Sequence, residues 1–384
     1  MKGGLANALT AAAGTLSTVG GLFRARAQIQ KSALAIEFGE RKLSYGELLD
    51  RVDRATLMLA DRGLERGDRV ALLSRNRPEY FEIELAAANL GAITACLNWR
   101  LSKREIAYCV DLVSPRLLIV EDELAASLQG VNRAECTTIT LGAEYEKLLH
   151  QSSAQTPPIV AEPEDGLVIL YTSGTTGLPK GAVVSHRAMI ARTLVFSSEL
   201  NIARDDAFVA WAPLYHMAST DHGLATLLRG GTVVIVDGFQ IEPLLSALRH
   251  HRIGWFVLIP GMIERFIAGF RAQPTVVKGV RTCGAMADLV PPHVLSEATD
   301  LLQAPYVNSF GSTETGLPPA TRHLIPIGAV PTRLSKEQSA FCEIKLVDPV
   351  DNEVAIGIPG ELAIRGPTVF SGYWQAQEFA AAAP

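Results

Sequence analysis

The chain has 384 residues, 48% of them hydrophobic and 20% charged, and a net charge of −5. That composition excludes a disordered chain and a disulfide-stapled miniprotein, and the length admits two or three packed units. Lysine and arginine are scattered without a basic run, so no nucleic-acid partner is expected.

The first residues, MKGGLANALTAAAGTLSTVGGLF, begin with a lysine near the start but lack the apolar core of a signal peptide. They read as a loose start leading into a surface helix. No run reaches the length of a membrane span. Residues 44–63 read as a helix opened by a capping box, Ser44 to Glu47, and stopped by Gly63. Strands are expected at 69–74 (RVALLS), 92–98 (AITACLN), 116–121 (RLLIVE) and 167–172 (LVILYT). Residues 151–166, QSSAQTPPIVAEPEDG, read as a surface connection. Further strands are expected at 232–236 and 255–260, and helices at 242–251 and 291–304. After 322–334 the helical pattern stops, and 342–348 (CEIKLVD) and 360–366 (GELAIRG) read as a β-hairpin. Alternating β and α patterns over such a length predict an α/β fold with mainly parallel sheets.

Cys96, Cys109, Cys136, Cys283 and Cys342 form no CxxC pair. They predict buried thiols, no zinc site and a reducing compartment, the cytoplasm. A homodimer is compatible with the sequence, which does not define the assembly.

The chemistry concentrates in YTSGTTGLPKGAVVSH, 171–186. Glycines 174, 177 and 181 let a backbone turn tightly and bring N–H groups to an anion. Thr172, Ser173, Thr175 and Thr176 add hydroxyls, and Lys180 adds a charge that can follow a phosphate. A Walker A loop needs Gly before its lysine, Ser or Thr after it, and a helix at once. Here Pro179 and Gly181 flank Lys180, and the strand-like AVVS follows, so that reading fails. A helix is expected to start near Ser185, a good N-cap.

YTSGTTGLPKG resembles the signature of the adenylate-forming, or AMP-binding, enzymes: acyl-CoA synthetases, nonribosomal adenylation domains and luciferases. Other segments agree in the family's order. WAPLYHMAST (211–220) resembles its aromatic-His motif, and RTCGAMADL (281–289) its Gly-Ala segment. NSFGSTETG (308–316) resembles its Tyr-Gly-x-Thr-Glu motif, with Phe310 in place of the tyrosine and its hydroxyl lost. GELAIRGPTVFSGYW (360–374) resembles the segment closing the large domain and reads mainly as structure. With the diffuse likeness of 43–108, the resemblance runs from about Leu43 to Trp374.

The resemblance implies a large N-terminal adenylation domain with subdomains at about 20–162, 163–325 and 326–384, the last small, mostly β and barrel-like. It implies ATP, Mg²⁺ and coenzyme A as cofactors and a carboxylic acid as substrate. The loop of Thr172, Ser173, Gly174, Thr175, Thr176, Gly177 and Lys180 would grip the β- and γ-phosphates. His216 would orient the acid. Thr313 would bond a phosphate oxygen and Glu314 would hold Mg²⁺. Gly284, Ala285, Met286, Asn308, Ser309, Phe310 and Gly311 would flank adenine and the acyl group. Met217, Ala218, Ile259 and Met262 would line an apolar acyl pocket together with Met286. His222 reads as structural.

The sequence ends at Pro384, before the family's ribose-binding aspartate, its hinge and the small lid domain carrying the catalytic lysine. A truncated acyl-CoA ligase is therefore expected. An amino- or aryl-acid adenylation domain, for which Asp221 leaves room, and a non-catalytic nucleotide-binding scaffold are the alternatives.

Overall fold

A computed structural model describes residues 16–131, 136–153, 155–172 and 177–375. They form a mixed α/β structure of mainly parallel sheets in two compact units. Among the described residues no helix is long and apolar enough to cross a membrane.

The first unit runs to Ile190 and includes Phe208–Gln240 and the segment from Phe370. Its first helix, α1 (Val19–Ile29), is not the surface helix expected: Val19, Phe23 and Ala27 are buried. Thr18 caps it, and the Nδ1 of His186 accepts the Val19 N–H at 3.1 Å. Strands β1 (Leu34–Phe38) and β2 (Arg41–Ser44) are antiparallel. Helix α2 (Tyr45–Ala60) opens on the expected capping box.

Strand β3 (Arg69–Leu73) leads into α3 (Pro78–Leu90), and β4 (Ile93–Cys96) into α4 (Lys103–Val113). Next come β5 (Leu117–Glu121), β6 (Thr137–Leu141), α5 (Ala143–Gln151), β7 (Gly166–Thr172), β8 (Lys180–Ser185) and α6 (His186–Glu199). The six-stranded order is β6-β5-β3-β4-β7-β8, parallel except for the last pair. The break expected at 163 does not coincide with a sheet boundary, because β7 pairs with β4 inside the first sheet. Strand β9 (Ala207–Ala210), helix α7 (Met217–Arg229) and strand β10 (Val233–Ile235) follow. Strands β9, β10 and β1 are parallel neighbours, with β2 beyond.

All thirteen residues of α3 are buried, three glutamates included. Buried carboxylates need partners. Arg41 and Arg77 hold Glu79, and Arg51 holds Glu82. Burial pushes Glu79 up, but Arg77 and Arg41 together bring it down to about 2.

The second unit comprises Ala191–Ala207 and Ile241–Val369. Helix α8 (Ile241–His250) precedes β11 (Ile253–Phe256), which starts two residues before the expected strand and ends earlier. Helix α9 (Ile263–Ala272), β12 (Val280–Cys283), α10 (Pro292–Leu302) and β13 (Tyr306–Val307) follow. Strands β11, β12 and β13 are parallel. A hairpin of β14 (Phe310–Ser312) and β15 (Gly316–Ala320) comes next, then β16 (Leu324–Ile325), antiparallel to β13. The expected hairpin is β17 (Glu343–Val347) with β18 (Glu361–Arg365). Asp206, fully buried, is paired with Arg252 and Arg281.

Cys96, Cys109, Cys283 and Cys342 are buried thiols as expected, while Cys136 is only half-buried.

Candidate functional site

The candidate residues fall into two groups, one on each unit. In the first unit, β7 and β8 are antiparallel and Thr172 pairs with Lys180, so the glycine-threonine loop is a hairpin connection. Its Ser173, Gly174, Thr175 and Thr176 lie outside the described residues. Gly177 has φ +88° with open space around it, a backbone that L side chains rarely adopt. Gly181 serves packing: a Cβ there would lie 2.8 Å from Ile169 Cγ2.

The GYW segment does more than close the domain. The Ser371 N–H bonds Val183 O at 2.8 Å, and the Trp374 N–H bonds Gly181 O at 2.8 Å. This edge pairing sets the Tyr373 ring 5.3 Å from Lys180 Nζ, within cation–π reach.

His216 ends the loop that leaves β9. A side chain that the sequence reading passed over holds this loop. Asn76, 4% exposed, donates to the carbonyls of Ala212 at 2.8 Å, Val236 at 3.0 Å and Ala210 at 3.2 Å. Its own carbonyl accepts the Leu214 N–H at 2.8 Å. The signal for it is slight: one asparagine just past a buried strand. Ser219 Oγ adds a bond to Ala212 O at 2.7 Å.

His216 is the N-cap of α7, and its Nδ1 accepts the Ala218 N–H at 3.1 Å. That bond needs an Nδ1 lone pair, which assigns the neutral ring's proton to Nε2. The surrounding protein lowers its pKa, although the ring has an exposed surface. Both effects favour a neutral imidazole acting as an Nε2–H donor. Met217 beside it is buried, and Ala218 is half-buried. His222 is buried, its ring 5.8 Å from that of Phe208.

In the second unit the C-terminal ends of neighbouring strands gather the other candidates, the usual place for ligands in parallel sheets. Ile259 and Met262 follow β11, both half-buried. After β12, Gly284 has φ +76°, and a Cβ there would lie 2.0 Å from the Tyr306 ring. Protein packing against Tyr306 therefore requires a glycine here on the side a Cβ would occupy. The Tyr306 hydroxyl donates to Ala285 O at 2.8 Å, and Trp255 Nε1 to Gly284 O at 2.8 Å. Met286, 40% exposed, has φ 52°, an uncommon backbone for a non-glycine residue.

Asn308 is fully buried, and its side chain is committed to protein partners: it donates to Leu334 O at 2.8 Å and accepts from Lys336 Nζ at 2.8 Å. A side-chain role for Asn308 at a ligand does not fit this network. Ser309 is also fully buried. Phe310 and Gly311 lie in β14, half-buried. A Cβ on Gly311 would lie 2.3 Å from Gly316 O, so glycine permits the hairpin itself. Thr313 and Glu314 sit half-buried in the turn between β14 and β15. Ser312 O accepts the Thr315 N–H at 3.2 Å, closing that turn.

A family profile described as AMP-binding enzyme matches residues 23–374. The chain belongs to the AMP-binding enzyme family. It is 32% identical to indoleacetate–CoA ligase of Aromatoleum aromaticum, over 93% of this chain and 71% of that protein. It is 30% identical to feruloyl-CoA synthase of Amycolatopsis sp., over 91% of this chain and 70% of that one. In fold, this AMP-binding enzyme superposes on the N-terminal domain of FACL13 from Mycobacterium tuberculosis with a TM-score of 0.83 at 20% identity, covering 96% of this chain and 94% of that one.

Proposed function

We propose that this AMP-binding enzyme is an acid–thiol ligase that forms AMP. A carboxylate oxygen attacks the α-phosphorus of ATP, the bond from that phosphorus to the α,β-bridging oxygen breaks, and pyrophosphate leaves. The acyl-adenylate then acylates the sulfur of coenzyme A, AMP departs, and the thiol proton goes to solvent. The first step gathers negative charge on phosphates, so positioning and electrostatics carry the catalysis. The single observation that carries the reading is the neutral, N-capping His216, whose Nε2–H can donate a hydrogen bond that orients a carboxylate and leaves it ionised for attack.

The remaining roles belong to the same proposal. The loop closed by Thr172 and Lys180 grips the β- and γ-phosphates, with Lys180 resting on Tyr373 between turnovers. Thr313 bonds the α-phosphate. Among the described residues no three metal-ligating side chains cluster. A single carboxylate, Glu314, combined with phosphate oxygens is the ligand set Mg²⁺ ordinarily takes. The ion would supply charge neutralisation on the phosphates. Met217, Ala218, Ile259, Met262 and Met286 suit an uncharged acyl group.

The curated relatives act on indoleacetate, ferulate and 3-hydroxybenzoate by name, and on that ground an aryl or arylalkanoic acid is the proposed substrate. The cytoplasm suits the free thiols of Cys96, Cys109, Cys283 and Cys342. Acid-dependent release of pyrophosphate, followed by CoA-dependent AMP formation across a panel of aryl, fatty and amino acids, tests the reading. Activity confined to amino acids and independent of CoA would point instead to an adenylation domain.

A further inference from the structure

Arg192 lies on α6, within the second unit, and is 3% exposed. Its guanidinium is always charged, so burying it demands strong partners. Two of them are backbone carbonyls from segments far apart in sequence. Nη2 donates to Thr313 O at 3.0 Å, and Nε donates to Thr368 O at 2.9 Å.

The turn is shaped around this side chain. Gly316 has φ +71°, and a Cβ there would lie 2.8 Å from Arg192 Cδ. Within the turn, Thr315 Oγ1 accepts the Ser312 N–H at 3.0 Å, and the Thr315 N–H bonds Ser312 O at 3.2 Å. Those bonds tie the two ends of the turn. Thr313 O, between them, is met by Arg192.

We propose that Arg192 is a positioning residue for the phosphate- and metal-binding turn. It fixes the Thr313 peptide so that the Thr313 hydroxyl and the Glu314 carboxylate present one geometry to the nucleotide and its cation. This rests on the roles given to Thr313 and Glu314 above. The planar fork is what the task requires. Lysine keeps the charge but cannot bridge two carbonyls in fixed directions, and methionine keeps only the bulk.

Calorimetry of ATP binding across a Mg²⁺ titration tests it, on wild type, Arg192→Lys and Arg192→Met. Outer partners that orient metal ligands commonly change metal affinity by 10- to 100-fold, so Arg192→Met should raise the Mg²⁺ concentration for half-maximal ATP binding by about tenfold. Arg192→Lys should recover part of that shift. Melting temperature, recorded alongside, reads the purely structural cost. Variants with lowered melting temperature and the wild-type Mg²⁺ midpoint would overturn the inference. If Arg192→Met does not fold, Arg192→Lys decides alone: a raised midpoint supports the inference and an unmoved one overturns it. A wild type that binds no ATP removes the proposed function itself, which is a separate result from unshifted variants.

Discussion

The side-chain carbonyl of Asn76 accepts the Leu214 N–H at 2.8 Å while its amide donates to the carbonyls of Ala212, in the same loop, and of Val236, just past β10. One buried side chain thus sets the path of the backbone that delivers His216. Each buried polar group left unmet costs about 1–3 kcal/mol, so Asn76→Ala should cost at least about 3 kcal/mol in urea unfolding. It should also lower the adenylation rate in the protein that still folds. A variant as stable and active as wild type would show that the loop holds itself.

His216 has two roles that substitution can separate. Asparagine is also a good N-cap, whereas alanine is not, a difference of about 1 kcal/mol. His216→Asn should keep stability and lose acid-dependent pyrophosphate release. His216→Ala should lose both. If His216→Asn retains the full rate, the imidazole plays no part in orienting the acid.

The lowered pKa of His216 has a pH signature. An ordinary imidazole is half-protonated at about pH 6.5. With its pKa lowered by burial, His216 is mostly the neutral donor there, so the fall in rate with acid should be centred below about pH 6.5. A decline centred at or above the ordinary value would contradict the assignment.

His186 should govern stability in mild acid. It is fully buried, and burial brings its pKa from 6.5 down to about 4. The unfolded chain therefore takes up the proton first as pH falls. Its contribution is complete above the unfolded pKa and is lost between that pH and about 4, amounting to about 3 kcal/mol. Comparing urea midpoints of wild type and His186→Gln isolates it, because carboxylates cancel. Glu79, held near 2, loses its contribution only below its ordinary 4.5. A difference between the two proteins that stays constant from pH 7 to about 4 would rule out His186 as the titrating group.

Gly284→Ala tests the packing at the end of β12. The new methyl would meet Tyr306 at 2.0 Å on a backbone with positive φ. Overpacking in a core costs about 1–3 kcal/mol before backbone strain is added. A lowered thermal midpoint, with Tyr306→Ala partly rescuing it, is expected. An unchanged midpoint would show that the strand end moves aside.

Local signals in the sequence were sound where local physics decides. The Ser44–Glu47 capping box and the Ser185 cap form as read, and the Lys180–Ser185 strand replaces the helix a Walker loop would need. Sequence reading was silent where distant segments decide. The glycine at 284 carries a packing constraint, the Tyr306 ring against its Cα, that its motif does not announce. Asn308 sits in a motif, yet its partners Leu334 and Lys336 come from a stretch with no regular pattern. Arg192 and Asn76 carry no motif, and Tyr373 lies in a segment that reads mainly as structure; their roles emerge only from the carbonyls or the ammonium they meet. Two of the acids of α3, Glu79 and Glu82, likewise find their partners only when Arg41, Arg51 and Arg77 are brought to them by the fold.

The most direct measurement of the central claim is acid-dependent pyrophosphate release from ATP, with the acyl-adenylate or acyl-CoA identified by mass spectrometry. The account predicts release with an aryl or arylalkanoic acid, abolished by Glu314→Ala and dependent on Mg²⁺, with AMP formed as coenzyme A is acylated. ATP cleaved to ADP and phosphate, or no acid dependence for any member of the panel, would contradict it.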